Sequence, residues 1–188
     1  MLLADAQQIV DTVFALYEKY GAADYIGEPV SQLEHMGQAA LLAEQAGSSE
    51  EVILAAFFHD IGHLCEMEGE SMHGLGVKDH EQFGYDYLLR LGFSDNIARL
   101  VRSHVAAKRY LTFKHPEYYA QLSAASKQTL GFQGGPMTAQ EAAAFEADPL
   151  FEAMVRLRTW DDLAKETGQP LPELQRFKQM AVKHLMQR

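Results

Sequence analysis

Apolar side chains recur every three or four positions along most of the chain, which is the pattern of amphipathic helices. The first apolar stripe consists of Ile9, Val13, Phe14 and Leu16. It predicts a helix from about Ala4 to Tyr20, which Gly21 ends. Strand-like alternation of apolar and polar residues is scarce, so the pattern predicts an all-α helical bundle.

Helix starts are marked by residues that cap helix N-termini. Ser31 with Glu34, and Ser48 with Glu51, have the spacing of a capping box, in which both side chains satisfy first-turn amides. These pairs predict the starts of the second and third helices, and the second is expected to end near Gly47. Further starts are predicted at Asp79, Ser94, Asp148-Pro149 and Pro172. Turn-forming residues predict loops over residues 66–78 and 131–138.

Length and composition predict one cytoplasmic domain. The 188 residues, 47% of them hydrophobic, suffice for one core, so we expect a single domain over residues 1–188. The longest apolar run, Val52 to Phe58, is far shorter than the roughly 20 residues that span a bilayer. Asp5 lies where a signal peptide would be apolar. Since Cys65 is the only cysteine, any metal must be held by nitrogen and oxygen.

The charge balance argues against nucleic acid as a partner. The formal net charge is −10, and no run of clustered lysine and arginine offsets it. We therefore expect that nucleic acid is not a partner. We also expect a monomer or weak dimer that binds a small molecule and does not bind a membrane.

The string His59-Asp-Ile-Gly-His63 follows an almost entirely apolar helix. A buried carboxylate beside an imidazole is costly unless a cation compensates it, and a metal ion is such a cation. Taken alone, the His59 and Asp60 pair is equally well explained as a salt-bridged pair in the core.

Four more residues, His35, His80, His104 and Asp161, change this balance, because with His59 and Asp60 their order resembles that of an HD-domain metal site. His35, His59, Asp60 and Asp161 suffice for a single ion. His80 and His104 raise the total to four imidazoles and two carboxylates. That is enough for two ions if Asp60 bridges them. Considered alone, His80 is explained as a capping residue at a helix start, and His104 is explained as a partly exposed surface residue. The sequence predicts a central dinuclear site formed by His35, His59, Asp60, His80, His104 and Asp161.

The remaining histidines are expected to play other parts. His63 shares a helix face with His59 and can reach the site without being a ligand. His73, His115 and His184 are predicted to be solvated.

Two cations share helix faces with the predicted ligands. Lys108 follows His104 by one turn, and Arg158 precedes Asp161 by three residues. Cations beside a metal pair are unfavourable unless the substrate is a polyanion such as phosphate or phosphonate. By contrast, Arg109 and Lys165 are predicted to be exposed charges on the helix surface.

Several strings together carry a resemblance to a known family. They are Tyr25-Ile-Gly-Glu28, Gln32-Leu-Glu-His35, His59-Asp-Ile-Gly-His63, His104-Val-Ala-Ala-Lys-Arg-Tyr-Leu111, Gln133-Gly-Gly-Pro-Met137 and Arg158-Thr-Trp-Asp161. Over essentially its whole length the chain resembles the mixed-valent diiron HD-domain oxygenases of the PhnZ and TmpB type. Many HD-domain relatives share the ligand pattern, but the Tyr-Ile-Gly-Glu and His-Val-Ala-Ala-Lys-Arg strings are more specific.

The resemblance implies two iron ions in an Fe(II)/Fe(III) pair, with dioxygen as cosubstrate. The implied ligands of the substrate-side iron are His35, His59, Asp60 and Asp161, and those of the second are Asp60, His80 and His104. Tyr25 would occupy the open position of the first iron until substrate arrives. Glu28, with Asp24 nearby, would meet a cationic end of the substrate. The phosphonate oxygens would be held by His63, Lys108, Ser126 and Arg158.

The implied activity is that of an oxygenase in organophosphonate catabolism. It is cleavage of the carbon-phosphorus bond of (R)-1-hydroxy-2-(amino or trimethylammonio)ethylphosphonate to glycine or glycine betaine plus phosphate, with overall likeness favouring the trimethylated substrate. Two alternatives use the same residues. One is a phosphohydrolase whose metals activate water against a small phosphate ester or nucleotide. The other is a regulatory binding module with a vestigial site.

Overall fold

The computed structural model describes residues 1–25, 27–65 and 76–188. Within these ranges the chain forms eleven helices and no β-strand, and Asp24 and Ser31 form an isolated antiparallel bridge. The predicted all-α class is therefore confirmed. The helices are α1 (Leu3–Tyr20), α2 (Gln32–Gln45), α3 (Glu50–Phe58), α4 (Ile61–Leu64), α5 (His80–Arg90), α6 (Asp95–Lys114), α7 (Pro116–Gln121), α8 (Ala124–Phe132), α9 (Ala139–Glu146), α10 (Phe151–Leu163) and α11 (Leu174–Met186).

Helix α3 lies at the centre of the core and packs against α2, α6, α10 and α11. Its Phe57 ring stacks on Tyr17 of α1 and on Phe177 of α11, with ring centroids 4.7 and 4.5 Å apart. The Tyr17 hydroxyl also donates to the Phe57 carbonyl at 3.1 Å, which satisfies an acceptor that the helix end leaves open. This packing fixes the end of α3, and with it the position of His59 and Asp60.

The close approach of α4 to α5 depends on Gly62. A Cβ atom at Gly62 would lie 1.9 Å from the carbonyl oxygen of His80. The bare glycine therefore lets the backbone that follows Asp60 touch the first residue of α5. This contact brings His80 to Asp60.

Gly62→Ala is expected to destabilise the fold by about 1–3 kcal/mol, because the backbone carbonyl must move away from the new methyl group. Urea unfolding followed by circular dichroism measures the change. Gly131→Ala is the matched control, since a Cβ at Gly131 in α8 would meet no atom within 4 Å. The free energy of unfolding of Gly131→Ala is expected to equal or exceed that of the parent. A Gly62→Ala protein as stable as the parent would contradict this account of the contact.

Two predicted helix starts are confirmed in atomic detail. The Ser31 amide donates to Glu34 Oε2 at 2.7 Å, and the Glu34 amide donates to Ser31 Oγ at 3.2 Å, which completes the capping box. Ser94 caps α6 by accepting from the Ile97 amide at 3.2 Å. Both signals are local, because donor and acceptor lie within one turn.

The predicted capping box at Ser48 is wrong by one residue. Ser49 is the N-cap of α3, and its hydroxyl accepts from the Val52 amide at 3.4 Å. The Glu51 carboxylate is used elsewhere, since it accepts from Ser94 Oγ at 2.6 Å. A contact with another helix therefore outweighs the local capping alternative.

Other predicted boundaries also shift. Asp79 takes the N-cap position of α5, but in a left-handed conformation (φ 60°) and without a side-chain capping bond. Helices α10 and α11 each begin two residues after the predicted Pro149 and Pro172. Pro172 instead lies against Gly37 of α2, where a Cβ would be 2.3 Å from the proline ring.

The two predicted loops are described only in part. Residues 66–75 of the loop predicted over residues 66–78 lie outside the described residues. The loop predicted over residues 131–138 begins later than expected, because α8 continues to Phe132. None of the helices in the described part of the chain combines the length and apolarity that crossing a membrane requires.

Candidate active site

Six polar side chains converge in the core from α2, α5, α6, α10 and the turn between α3 and α4. None of the six residues is more than 4% exposed. They are His35, His59, Asp60, His80, His104 and Asp161, the full set that the sequence predicts as ligands.

Asp60 lies between two pairs of histidines and directs one carboxylate oxygen to each pair. Its Oδ2 is 3.5 Å from Nε2 of His35 and 3.5 Å from Nε2 of His59. Its Oδ1 is 3.3 Å from Nε2 of His80 and 3.3 Å from Nε2 of His104. One carboxylate can therefore serve two binding positions.

The spacing within each pair suits a metal ion. The Nε2 atoms are 3.0 Å apart in the pair His35 and His59, and 2.9 Å apart in the pair His80 and His104. Two nitrogens bound to one ion at about 2.1 Å and at a right angle are about 3.0 Å apart. Asp161 adds a second carboxylate to the first pair, with Oδ1 3.5 Å from His35 Nε2.

The tautomers of all four histidines are fixed by the backbone. Each Nδ1 donates to a carbonyl oxygen, which can only accept, so each Nε2 is left either to hold a proton beside the carboxylates or, when the ring is neutral, to present a lone pair to a metal ion. Two facing lone pairs repel unless a cation lies between them, so the donors fit a metal. The four bonds are His35 to Ala164 (2.9 Å), His59 to Ala56 (2.8 Å), His80 to Val77 (3.1 Å) and His104 to Val101 (2.7 Å).

Both buried carboxylates are held in the ionised form. Burial acts to raise the pKa of Asp60, but the charge of His59 and a hydrogen bond from His104 hold that pKa well below its usual range. Burial likewise opposes ionisation of Asp161, and Arg158 outweighs it to keep the pKa of Asp161 low. Two ionised oxygen donors thus complete the nitrogen set.

A cavity of about 50 Å³ opens beside this cluster. That volume holds a few groups the size of a water molecule, which limits the ligand to a small compound. Its walls include most of the residues predicted for substrate and gating: Tyr25, Glu28, His63, Lys108, Ser126 and Arg158.

Lys108 is a buried cation with an incomplete set of partners. Its Nζ donates to Thr129 Oγ1 at 2.9 Å. Burial and the charge of Arg158 lower the pKa of Lys108 to about 7. None of the described carboxylates lies within ion-pair distance of its ammonium group. An anion in the cavity would supply the missing charge.

Arg158 is held rigidly at the cavity wall. Its NH1 donates to Asp161 Oδ2 at 2.7 Å, its Nε donates to Tyr118 Oη at 3.0 Å, and its NH2 pairs with Asp162. Three of the five N–H groups of a guanidinium are used in these bonds, so two are left for a ligand. Sequence reasoning missed Tyr118 and Asp162, although the four-residue spacing from Arg158 to Asp162 is a recognisable helical pair.

His63 lines the cavity close to His80. Its Nδ1 accepts from the Val77 amide at 3.3 Å, and its ring stacks on His80 with centroids 3.9 Å apart. Burial and the neighbouring His80 lower the pKa of His63 well below its usual value, so the ring is neutral. Its proton is then on Nε2, which suits a ligand oxygen better than a metal.

Tyr25 lies over His35, one member of the first histidine pair. Its ring stacks on His35 with centroids 3.8 Å apart. Burial, together with the charge and a hydrogen bond of Asp60, raises the pKa of Tyr25 well above its usual value. The phenol is therefore protonated and directed at the same carboxylate that serves both pairs. Its gating role stays a prediction.

The region around Glu28 differs from expectation. Glu28 Oε1 is 2.8 Å from the Nζ of Lys165, a residue predicted to be exposed. That prediction is wrong, because the Lys165 side chain is only 16% exposed. Arg109 is also not a free surface charge, since it donates to Gly135 O at 2.9 Å. Asp24 is exposed and lies outside the cavity wall.

The three histidines predicted to be solvated have different outcomes. His115 is exposed, as predicted. His184 is buried, which contradicts the prediction: its Nε2 accepts from the Ser94 amide at 3.2 Å, and its ring stacks on Phe93. His73 lies outside the described residues.

Two glutamines at the cavity wall were missed by sequence reasoning. Within the described ranges, the Oε1 atoms of Gln32 and Gln133 are buried and accept no hydrogen bond. Both residues line the cavity, where a ligand hydroxyl can donate to them. Their presence in two of the strings that carry the family resemblance was the available signal.

The fold and the convergent histidines and aspartates define a helical metal-binding protein of the HD type. The sequence profile of the HD domain matches residues 33–150. An uncharacterized protein of Acanthamoeba polyphaga mimivirus is 45% identical over 180 residues, covering 95% of this chain and 82% of that protein.

Two relatives carry functional names. The [1-hydroxy-2-(trimethylamino)ethyl]phosphonate dioxygenase (glycine-betaine-forming) of Leisingera caerulea is 40% identical over 92% of this chain and 88% of its own length. The hydroxymethylphosphonate dioxygenase of Gimesia maris is 39% identical over 89% of this chain and 84% of its own length. The chain belongs to the HD-domain family, together with these dioxygenases, and it is an enzyme of the oxygenase class with a metal site.

Proposed function

We propose that this oxygenase holds two iron ions and uses dioxygen to cleave the carbon-phosphorus bond of a small 1-hydroxyphosphonate. The observation that carries the proposal is the position of Asp60, whose two oxygens each face a separate pair of histidine Nε2 atoms. The names of the two relatives supply the reaction type.

The six convergent side chains divide into two ligand sets that share Asp60. Nitrogen and carboxylate donors in such a mixture suit iron, which in an Fe(II)/Fe(III) pair supplies the redox chemistry for activating dioxygen. The first ion would be held by His35, His59, Asp60 and Asp161, and the second by Asp60, His80 and His104.

The cavity wall supplies an anion site for the phosphonate. Lys108 provides an ammonium group without a carboxylate partner in the described part of the chain, and Arg158 has two N–H groups to spare. His63 offers a neutral N–H donor, and the Ser126 side chain lies on the same wall. Together they orient the phosphonate so that the neighbouring carbon faces the metal pair.

The electron balance of the reaction requires no other cofactor. A hydroxyphosphonate of the form R–CH(OH)–PO₃H₂ and one dioxygen give R–COOH and H₃PO₄. One carbon-hydrogen bond and the carbon-phosphorus bond break, and the carbon loses four electrons, which is the number that dioxygen accepts. We therefore expect one dioxygen consumed per phosphate released, without an external reductant.

The far end of the substrate is the point at which the two named relatives differ. The sequence resemblance implies an amino or trimethylammonio group there, which would give glycine or glycine betaine. Glu28 is the carboxylate expected to meet that group, and it is already paired with Lys165. The proposal therefore commits to the 1-hydroxyphosphonate core.

The proposal is tested by phosphate release from synthetic 1-hydroxyphosphonates, measured with and without air in iron-loaded protein. Phosphate is expected to be released only in the presence of air, with one phosphate formed for each dioxygen consumed. Equal release under argon, or release from phosphate esters with manganese, would favour a phosphohydrolase and contradict the proposal.

Lys108→Met is expected to raise the KM for the phosphonate by about 10- to 100-fold, because a hydrogen bond to a charged group is lost. Iron content should stay that of the parent, since Lys108 is not a predicted ligand. Lys114→Met is the matched control on the same helix, where the exposed ammonium pairs with Glu146 at 2.7 Å. An unchanged KM in Lys108→Met would refute the anion site.

A further inference from the structure

A further charged pair, Glu28 and Lys165, lies at the cavity, where Glu28 is one of the lining residues. The Nζ of Lys165, in the segment between α10 and α11, is 2.8 Å from Glu28 Oε1 and 3.5 Å from Ser123 Oγ. The side chains of Lys165 and Glu28 are 16% and 9% exposed. The pair is thus largely screened from water, which makes it stronger than a surface ion pair.

Glu28 lines the cavity, so its carboxylate is within reach of a bound ligand. A ligand ammonium would compete for that carboxylate with Lys165, which is tethered to the same protein. A tethered group acts at a high effective concentration, so the incoming ammonium is at a disadvantage.

The charge balance of the cavity points the same way. The phosphonate end of a substrate finds Lys108 and Arg158, whereas the other end finds a carboxylate that a lysine has already neutralised. A second ammonium at this place would lie beside the first, and like charges in a poorly solvated site repel strongly.

We propose that Lys165 is a specificity-determining residue that takes the place of a substrate ammonium beside Glu28. Its charge tunes the site to 1-hydroxyphosphonates whose far end is uncharged, such as hydroxymethylphosphonate and 1-hydroxyethylphosphonate. This inference rests on the proposed function, because it presupposes a phosphonate in the cavity.

The test compares binding of two compounds to iron-loaded protein without dioxygen, by titration calorimetry. They are hydroxymethylphosphonate and 1-hydroxy-2-aminoethylphosphonate. The parent protein is expected to bind the uncharged compound at least about 10-fold more tightly. In Lys165→Met the ratio of the two dissociation constants is expected to shift toward the ammonium compound by about 10- to 100-fold, since Glu28 loses its counter-ion.

Two further variants control for charge and for folding. Lys165→Arg keeps the positive charge and is expected to keep the parent preference, and Lys165→Gln replaces the methionine variant if that variant does not fold. Lys183→Met is the matched control, because it removes an exposed ion pair of similar length with Glu50 (2.7 Å). In Lys183→Met the ratio of the two dissociation constants should equal that of the parent.

The outcomes separate this inference from the proposed function. A parent that prefers the ammonium compound, or an unchanged ratio in Lys165→Met, overturns the role of Lys165 even if phosphate release depends on air. The predicted binding ratios without air-dependent phosphate release support the role of Lys165 as a charge selector and refute the oxygenase proposal. If neither compound binds, the role of Lys165 and the proposed function are both refuted.

Discussion

Asp60→Asn is expected to lose both iron ions and to lower phosphate release by at least about 1,000-fold. The Asp60 carboxylate faces both histidine pairs, with its oxygens 3.5 Å from His35 Nε2 in the first pair and 3.3 Å from His80 Nε2 in the second. Asparagine keeps the shape of the side chain but replaces one oxygen by an NH₂ group, which cannot bind a cation, and it removes the negative charge. Plasma mass spectrometry of the desalted protein measures the iron.

The control for this variant is Asp86→Asn, on the exposed face of α5. Asp86 accepts from Gln82 within its own helix at 3.1 Å and takes no part in the cavity. That variant should keep the iron content and turnover of the parent. Two tightly bound ions in folded Asp60→Asn protein would show that Asp60 does not join them.

His80→Ala is expected to lose one ion and keep the other. The Nε2 of His80 is 2.9 Å from that of His104, and removal of the ring leaves His104 and Asp60 as the donors of the second position. The first position keeps all its donors. Iron should therefore fall from about two to about one per chain, while phosphate release falls by at least about 1,000-fold, because the reaction needs the pair.

The outcome for His80→Ala separates two classes of enzyme. His115→Ala is the matched control, since His115 is exposed and does not line the cavity. Full turnover in His80→Ala, with one ion bound, would mean that the second position is dispensable. A single-ion hydrolase would then be the better description.

Features that depend on neighbouring residues were predictable from the sequence. The caps at Ser31 and Ser94 join a side chain to an amide three residues away, so residue types alone identify them. The apolar character of α3 likewise predicted its central position. Because α3 is central, the His59 and Asp60 pair at its end had to be buried, and a buried carboxylate needs a cation.

Features that depend on distant residues were not predictable. Glu28 and Lys165 are 137 positions apart, so no periodicity or spacing links them. The burial of His184 follows from the packing of α11 on Phe93, and Ser94 lies 90 positions earlier in the chain. Sequence patterns assign such side chains to the surface by default, because charged residues and histidines are seldom fully buried.

Anomalous X-ray diffraction at the iron edge, from crystals of the iron-loaded protein, tests directly whether Asp60 joins two iron ions. We predict two anomalous peaks, one beside each carboxylate oxygen of Asp60. A single peak, or a second peak out of bonding range of Asp60, would contradict the claim.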